Sequence, residues 1–168
     1  MNVLANDGIS QEGVEKLTAA GFNTILESVD QVNIIDFINE NNIEVLLVRS
    51  ATKVRKDLID SCKSIKIIGR GGVGMDNIDV SYAKEKGIHV INTPAASSIS
   101  VAELVFAHLF SCVRSLHISN REMPLDGDKE FKKLKKNYAG GTELKGKTLG
   151  VVGFGRIGQE VAKIGIGV

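Results

Sequence analysis

Residues 148–164 read TLGVVGFGRIGQEVAKI, an apolar run that leads straight into three spaced glycines and then into a stretch of helical character. Thr148–Val152 reads as a β-strand, and Gln159 to Ile164 as the opening of a helix. Between them lies Gly153-Phe154-Gly155-Arg156-Ile157-Gly158, and the strand–turn–helix context is what gives this G-x-G-x-x-G spacing its meaning. The first glycine permits the tight turn, the second lets the backbone approach a pyrophosphate, and the third lets the helix pack close on the strand. Phosphates would meet N–H groups at the helix start, where the dipole favours negative charge. Gly153, Gly155, Arg156, Ile157 and Gly158 are therefore candidate cofactor-binding residues, with Arg156 adding a side-chain contact. The competing reading is a glycine turn that serves backbone geometry alone. The acidic residue that would hold the adenine ribose belongs about twenty positions further on, so these residues do not distinguish NAD from NADP.

Upstream, short apolar runs alternate with amphipathic stretches. Val3–Ala5, Thr24–Leu26, Val45–Val48, Ile65–Ile68 and Val90–Ile91 read as strands; Gln11–Ala20, Gln31–Asn39, Lys56–Lys63 and Val80–Lys86 read as helices. The alternation predicts an α/β fold with a parallel sheet. Val14, Leu17 and Ala20, and again Val32, Ile35 and Ile38, recur at helical spacing. Because the strands are continuous apolar runs, helices are expected on both sheet faces.

Two of these strands end in loops suited to an anion, Val48-Arg49-Ser50-Ala51-Thr52-Lys53 and Ile68-Gly69-Arg70-Gly71-Gly72-Val73-Gly74. Ligands of open parallel sheets bind beyond the carboxyl ends of strands. Arg49 and Arg70 offer planar, permanently charged donors, and Gly71, Gly72 and Gly74 offer unusual backbone conformations with exposed N–H groups. The bland reading makes the glycines loop punctuation and the arginines solvated surface. Asp76 and Asn77 are expected to cap the next helix and stay outside the site.

A long helix is expected from Ser98 or Ser100, with Ser100 and Glu103 in capping-box spacing, to about Asn120, ahead of Met123-Pro124. A lysine-rich polar stretch, Asp126 to Tyr138, follows. The 168 residues are 43% hydrophobic and 24% charged, enough for one domain, or for one small domain plus part of another. A net charge of +1 gives no footprint for nucleic acid. The chain lacks a signal-like start, its two cysteines suggest no disulfide framework, and the most apolar run, Val101 to Val113, is too short to cross a bilayer. A cytoplasmic protein without a membrane segment is expected.

The stretches VRSATKV at Val48–Val54, GRGGVGMDNIDV at Gly69–Val80, GIHVINTP at Gly87–Pro94, SVAEL at Ser100–Leu104 and GTELKGKTLGVVGFGRIGQEVA at Gly141–Ala162 resemble the D-2-hydroxyacid dehydrogenases, and within that family the phosphoglycerate dehydrogenases. The resemblance implies a flavodoxin-like substrate domain over residues 1–95 and the first part of a Rossmann nucleotide-binding domain over residues 96–168. It implies NAD as cofactor, a phosphorylated 2-hydroxy acid as substrate, and a homodimer or homotetramer formed through the nucleotide domain. By the same resemblance Arg49, Ser50, Lys53, Arg70, Gly71, Gly72 and Val73 contact substrate, and Val73 also contacts the nicotinamide. The family often has a small or polar residue at the position of Val73, which leaves the N–H available. Its catalytic arginine, glutamate and histidine are expected beyond Val168, so no catalytic residue is expected here. His89, His108 and His117 do not match the family's histidine motif, and they read as packing or surface residues. Lys132, Lys133, Lys135 and Lys136 read as a solvated helix face, or as a phosphate contact from a partner subunit.

The implied reaction is NAD-dependent oxidation of 3-phosphoglycerate to 3-phosphohydroxypyruvate, the entry to serine synthesis. Glyoxylate or hydroxypyruvate reduction is the nearest enzymatic alternative, and a dinucleotide-sensing corepressor or an inert fragment the alternative of another class. A chain that ends at Val168 holds one Rossmann strand and the start of one helix, too little to bury its own apolar faces. Such a chain should form no NADH from 3-phosphoglycerate; measurable NADH would place the reacting groups within these residues.

Overall fold

The computed structural model describes residues 1–168, which divide into two compact units, Met1–Ala96 and Ser97–Val168. In the first unit five strands alternate with four helices in chain order: β1 Asn2–Ala5, α1 Gln11–Ala19, β2 Asn23–Ile25, α2 Ile34–Glu40, β3 Val45–Val48, α3 Lys56–Ser61, β4 Ile67–Arg70, α4 Val80–Glu85 and β5 His89–Asn92. The strands form one parallel sheet in the order β2-β1-β3-β4-β5. The first crossover runs to the left of β1 and the rest run to the right. Right-handed connections therefore put α1 on one face and α2, α3 and α4 on the other.

That division makes the faces unequal. Ile25, Leu4, Leu46, Ile68 and Val90 lie in register across the sheet. They join Ile34 and Ile38 of α2, Leu58 and Ile59 of α3 and Ala83 of α4 in one continuous core. The opposite row, Ala5, Leu47, Gly69 and Ile91, faces the side that carries only α1, a helix with no buried residue. Ile91 is 58% exposed. Coverage of both faces, expected from the apolar strands, is complete on one face only, because a single leftward crossover supplies a single helix to the other.

The strands fall within two residues of their expected places; the helix ends depart where local chemistry decides them. α1 is capped as its sequence suggests, with the Gly13 N–H donating to Ser10 Oγ at 3.2 Å. α2 starts at Ile34 instead of Gln31, so Ile34 and Ile38 are the buried pair and Val32 is 85% exposed.

In the second unit α5 spans Ser98–Val113, α6 Leu116–Tyr138 and α7 Arg156–Ile166. Val161 of α7 packs on Ala102 and Phe106 of α5. The expected single helix to Asn120 is broken at Ser115, whose φ of 53° is left-handed, and α6 then continues through Pro124 and the lysine-rich stretch. The capping box does not form: Ser97 is the N-cap of α5 without a side-chain bond, and Ser100 lies inside the helix. Thr148–Val152 is not hydrogen-bonded as a strand, because residues 97–168 contain no second extended segment to pair with it. No single helix is long and apolar enough to cross a membrane.

The start of α2 can be tested by paired truncations. Ile38→Ala should cost about 2–5 kcal/mol of stability, whereas Val32→Ala should stay within about 0.5 kcal/mol. Urea unfolding measures both, and equal losses would mean that the helix begins at Gln31 and buries Val32.

Candidate functional site

The parallel register brings Val48 level with Arg70, so β3 and β4 release their loops side by side at the carboxyl edge of the sheet. A cavity of about 850 Å³ opens there and runs along the α1 side of the sheet. Its floor is apolar, with Leu17, Leu47, Gly69 and Ile91, while Asp7, Ser10, Arg49, Arg70, Asn92 and Thr93 give its polar edge. Gly69 leaves room for the floor of the cavity, since a Cβ there would lie 2.7 Å from Leu47 Cδ2 and push that side chain aside.

Of the residues expected to meet substrate, Arg49, Arg70 and Gly71 line this cavity. Ser50, Lys53, Gly72 and Val73 are near it in sequence and do not line it. Lys53 is instead tied through its backbone to Gln31, whose side chain bonds both the Lys53 N–H and its carbonyl. The glycine loop also differs from its expected use. Gly71 N–H donates to the Val48 carbonyl and Gly72 N–H to the Arg70 carbonyl, each at 2.9 Å, and neither glycine has positive φ. The N–H groups that bond no protein acceptor are those of Val73 and Gly74. Gly72 makes room for a neighbour: a Cβ on it would meet Arg70 Nη1 at 2.4 Å, so the guanidinium lies directly over it.

Two residues not among the expected site residues, Asp7 and Asn77, hold these loops. Asp7 Oδ2 accepts from the Arg49 N–H at 2.6 Å and the Thr52 N–H at 3.2 Å, and Asp7 Oδ1 accepts from the Thr52 hydroxyl at 2.6 Å. Burial alone would raise the Asp7 carboxyl, but the Thr52 hydroxyl and the N–H groups of Arg49, Thr52 and Ala51 outweigh it and hold the pKa below 3.8. Asn77, far from capping α4, is buried, with its side chain between the Arg49–Lys53 and Arg70–Asp76 loops. The α4 N-cap is Asp79, which accepts from the Arg55 side chain and the Lys56 N–H. An Asp-Asn pair just before a helix reads as a cap in any sequence; only the neighbouring loop reveals its other use.

The second unit carries the glycine turn. Gly153 has φ +90°, and a Cβ on Gly158 would stand 2.2 Å from the Gly153 carbonyl oxygen, so the turn needs the first glycine and helix packing the third. Gly155 is different: it has ordinary φ, and a Cβ on it would meet nothing within 4 Å. No internal contact demands glycine there, and the space in front of it is free for a ligand to approach the backbone. Gly155 caps α7 without a side-chain bond, so the first-turn N–H groups face that space, and Arg156 and Ile157 are exposed beside it.

The histidines are dispersed, with exposed His89 on β5, His108 on α5 and His117 on α6. Lys132, Lys133, Lys135 and Lys136 are exposed on α6, and Lys133 pairs with Glu130 at 2.5 Å. Burial, helped by Asp36 and Asp57, pushes the Cys62 thiol up to about 11, which leaves it no nucleophile.

The model of the catalytic domain of D-isomer specific 2-hydroxyacid dehydrogenases matches residues 3–154. A hydroxypyruvate reductase of Thermotoga maritima is 46% identical over 162 residues, covering 96% of this chain and 50% of that protein. A D-3-phosphoglycerate dehydrogenase of Methanocaldococcus jannaschii is 40% identical over 163 residues, covering 97% of this chain and 30% of that protein. The crystal structure of an NAD+-bound 3-phosphoglycerate dehydrogenase of Entamoeba histolytica superposes with a TM-score of 0.71 at 29% identity, over 99% of this chain and 51% of that one. The chain thus spans between 30% and 51% of the length of these relatives.

Asp7 gives the site a pH signature. Its folded pKa is depressed, so its contribution is complete above the unfolded value and is lost as pH falls through the folded one. Asp7→Asn should lower the melting temperature at neutral pH, and the gap from wild type should close as pH falls through the depressed pKa of the Asp7 carboxyl. Thermal melts from pH 7 downward measure this; a gap independent of pH would mean that the carboxylate charge does not hold the loop.

Proposed function

The chain belongs to the family of D-isomer specific 2-hydroxyacid dehydrogenases, and from that premise we propose that a full-length protein carrying these residues oxidises 3-phosphoglycerate to 3-phosphohydroxypyruvate with NAD. The observation that carries the substrate reading is the pair of permanent cations, Arg49 and Arg70, on one cavity at the carboxyl edge of the sheet. Two guanidiniums suit a ligand with two anionic groups, a carboxylate and a phosphate. The apolar floor limits water around the carbon chain. Ser50, Lys53, Gly72 and Val73 belong to the same loops, and the unbonded N–H groups of Val73 and Gly74 can donate to a carboxylate or carboxamide oxygen. Relatives named D-3-phosphoglycerate dehydrogenase support the same substrate.

The residues of the glycine turn fit a dinucleotide. Gly153 and Gly158 fix the turn, the open approach at Gly155 admits the pyrophosphate to the first N–H groups of α7, and Arg156 adds charge to the same end. When bound, the nicotinamide supplies hydride chemistry at the substrate's C2, while the residues present here bind and orient. The exposed apolar side chains of α5 and α6, among them Leu104, Phe110 and Ile118, support a homodimer or homotetramer. The two free thiols suit a cytoplasmic setting.

Reduction of hydroxypyruvate is the second reading, favoured by the 46% identity to the Thermotoga reductase. Steady-state rates of the full-length protein with NADH on 3-phosphohydroxypyruvate and on hydroxypyruvate separate the two. The phosphorylated acid should have the higher kcat/KM, by about a hundredfold for a charged group that meets its own guanidinium. Preference for the unphosphorylated acid would transfer the assignment to the reductase reading.

A further inference from the structure

Asn77 touches both arginine loops with a single amide. Its Nδ2 donates to the Arg49 carbonyl at 2.8 Å and the Thr52 carbonyl at 2.7 Å, and its Oδ1 accepts from Arg70 Nε at 2.9 Å. The side chain is 6% exposed, and both of its polar atoms are engaged. Arg49 is thus held by side chains at both backbone ends, its N–H by Asp7 and its carbonyl by Asn77. Thr52 closes the circle, with its hydroxyl donating to Asp7 and accepting from Asn6 Nδ2 at 2.8 Å.

We propose that Asn77 is a positioning residue that sets the spacing and direction of the Arg49 and Arg70 cations for a ligand with two anionic groups, an inference that rests on the function proposed above. The residue type follows from the task. A donor pair must face two carbonyls while an acceptor faces a guanidinium Nε, and within this volume only a primary amide offers both. A carboxylate of the same shape would set one oxygen against two carbonyl oxygens and would neutralise Arg70 with a permanent ion pair. The amide aims the guanidinium through Nε alone; Nη1 and Nη2 remain for the ligand, and the full positive charge is kept. Gly72 completes the arrangement, because a side chain there would displace the same guanidinium.

The test is Asn77→Asp in the full-length protein, with KM for 3-phosphoglycerate, KM for NAD and kcat measured separately. The expected result is a KM for the phosphorylated acid raised by about tenfold or more, with the KM for NAD within about twofold, as loss of a charge-assisted contact predicts. A residue that served the fold alone would lower the active fraction, and hence the apparent kcat, and leave both KM values in place; that outcome overturns the proposal and leaves the function standing. A wild type that turns over neither acid defeats the function, and this inference falls with it. Should Asn77→Asp fail to fold, Asn77→Ser is the second variant, a neutral side chain too short to reach the Arg70 Nε and both carbonyls. It should raise the substrate KM by about threefold, and an unchanged value would overturn the proposal.

Discussion

Val48 stands level with Arg70 across two parallel strands, and the polar edge of the cavity depends on that register. A parallel sheet delivers neighbouring loops to the same edge, but it does not secure them, because the ladder hydrogen bonds stop where the strands stop. The backbone groups of residues 49–52 therefore need partners from outside the sheet. Asp7, at the end of β1, takes the N–H groups, and Asn77, seven residues past Arg70, takes the carbonyls. The same bonds that satisfy the loop decide where Arg49 and Arg70 sit, so loop closure and the placement of both arginines share one set of atoms.

The legible part of the fold is the part set by side-chain period. Runs such as Val45–Val48 can only be buried strands, and their alternation with helices dictates the parallel sheet. What escapes is decided by partners distant in sequence. Asp7 follows β1 as any loop residue might, and its partners lie more than forty positions away. Asn77 sits where an N-cap is common, and no local signal says that Thr52 will be its acceptor. The break at Ser115 has no glycine or proline to announce it. Thr148–Val152 has strand composition but not a strand's hydrogen bonds, since composition cannot supply a neighbour.

The glycines divide in the same way. Gly69, Gly153 and Gly158 answer to internal geometry, through the Leu47 side chain, a positive φ and a carbonyl at 2.2 Å. For those positions the structural and functional readings of a glycine-rich loop agree, and their presence says little about a ligand. Gly155 is the informative one, because nothing within the protein explains it. Gly71 and Gly72 fall between: their N–H groups are used internally, and the N–H groups left without a protein acceptor are those of Val73 and Gly74. A loop rich in glycine offers donors only where the fold has not already taken them.

Charge follows a similar economy. At a net charge of +1, any attraction for anions has to be local, and the one carboxylate on the cavity edge has its oxygens turned to N–H and hydroxyl donors instead of to either guanidinium. Those donors hold Asp7 ionised without cancelling Arg49 or Arg70. Asn77 does for Arg70 by an amide what an acidic residue would do by charge. Both devices orient cations and leave them cationic. Arginines fixed this way keep their charge unpaired in a nearly neutral protein, whereas ordinary salt bridges would neutralise them within their own scaffold.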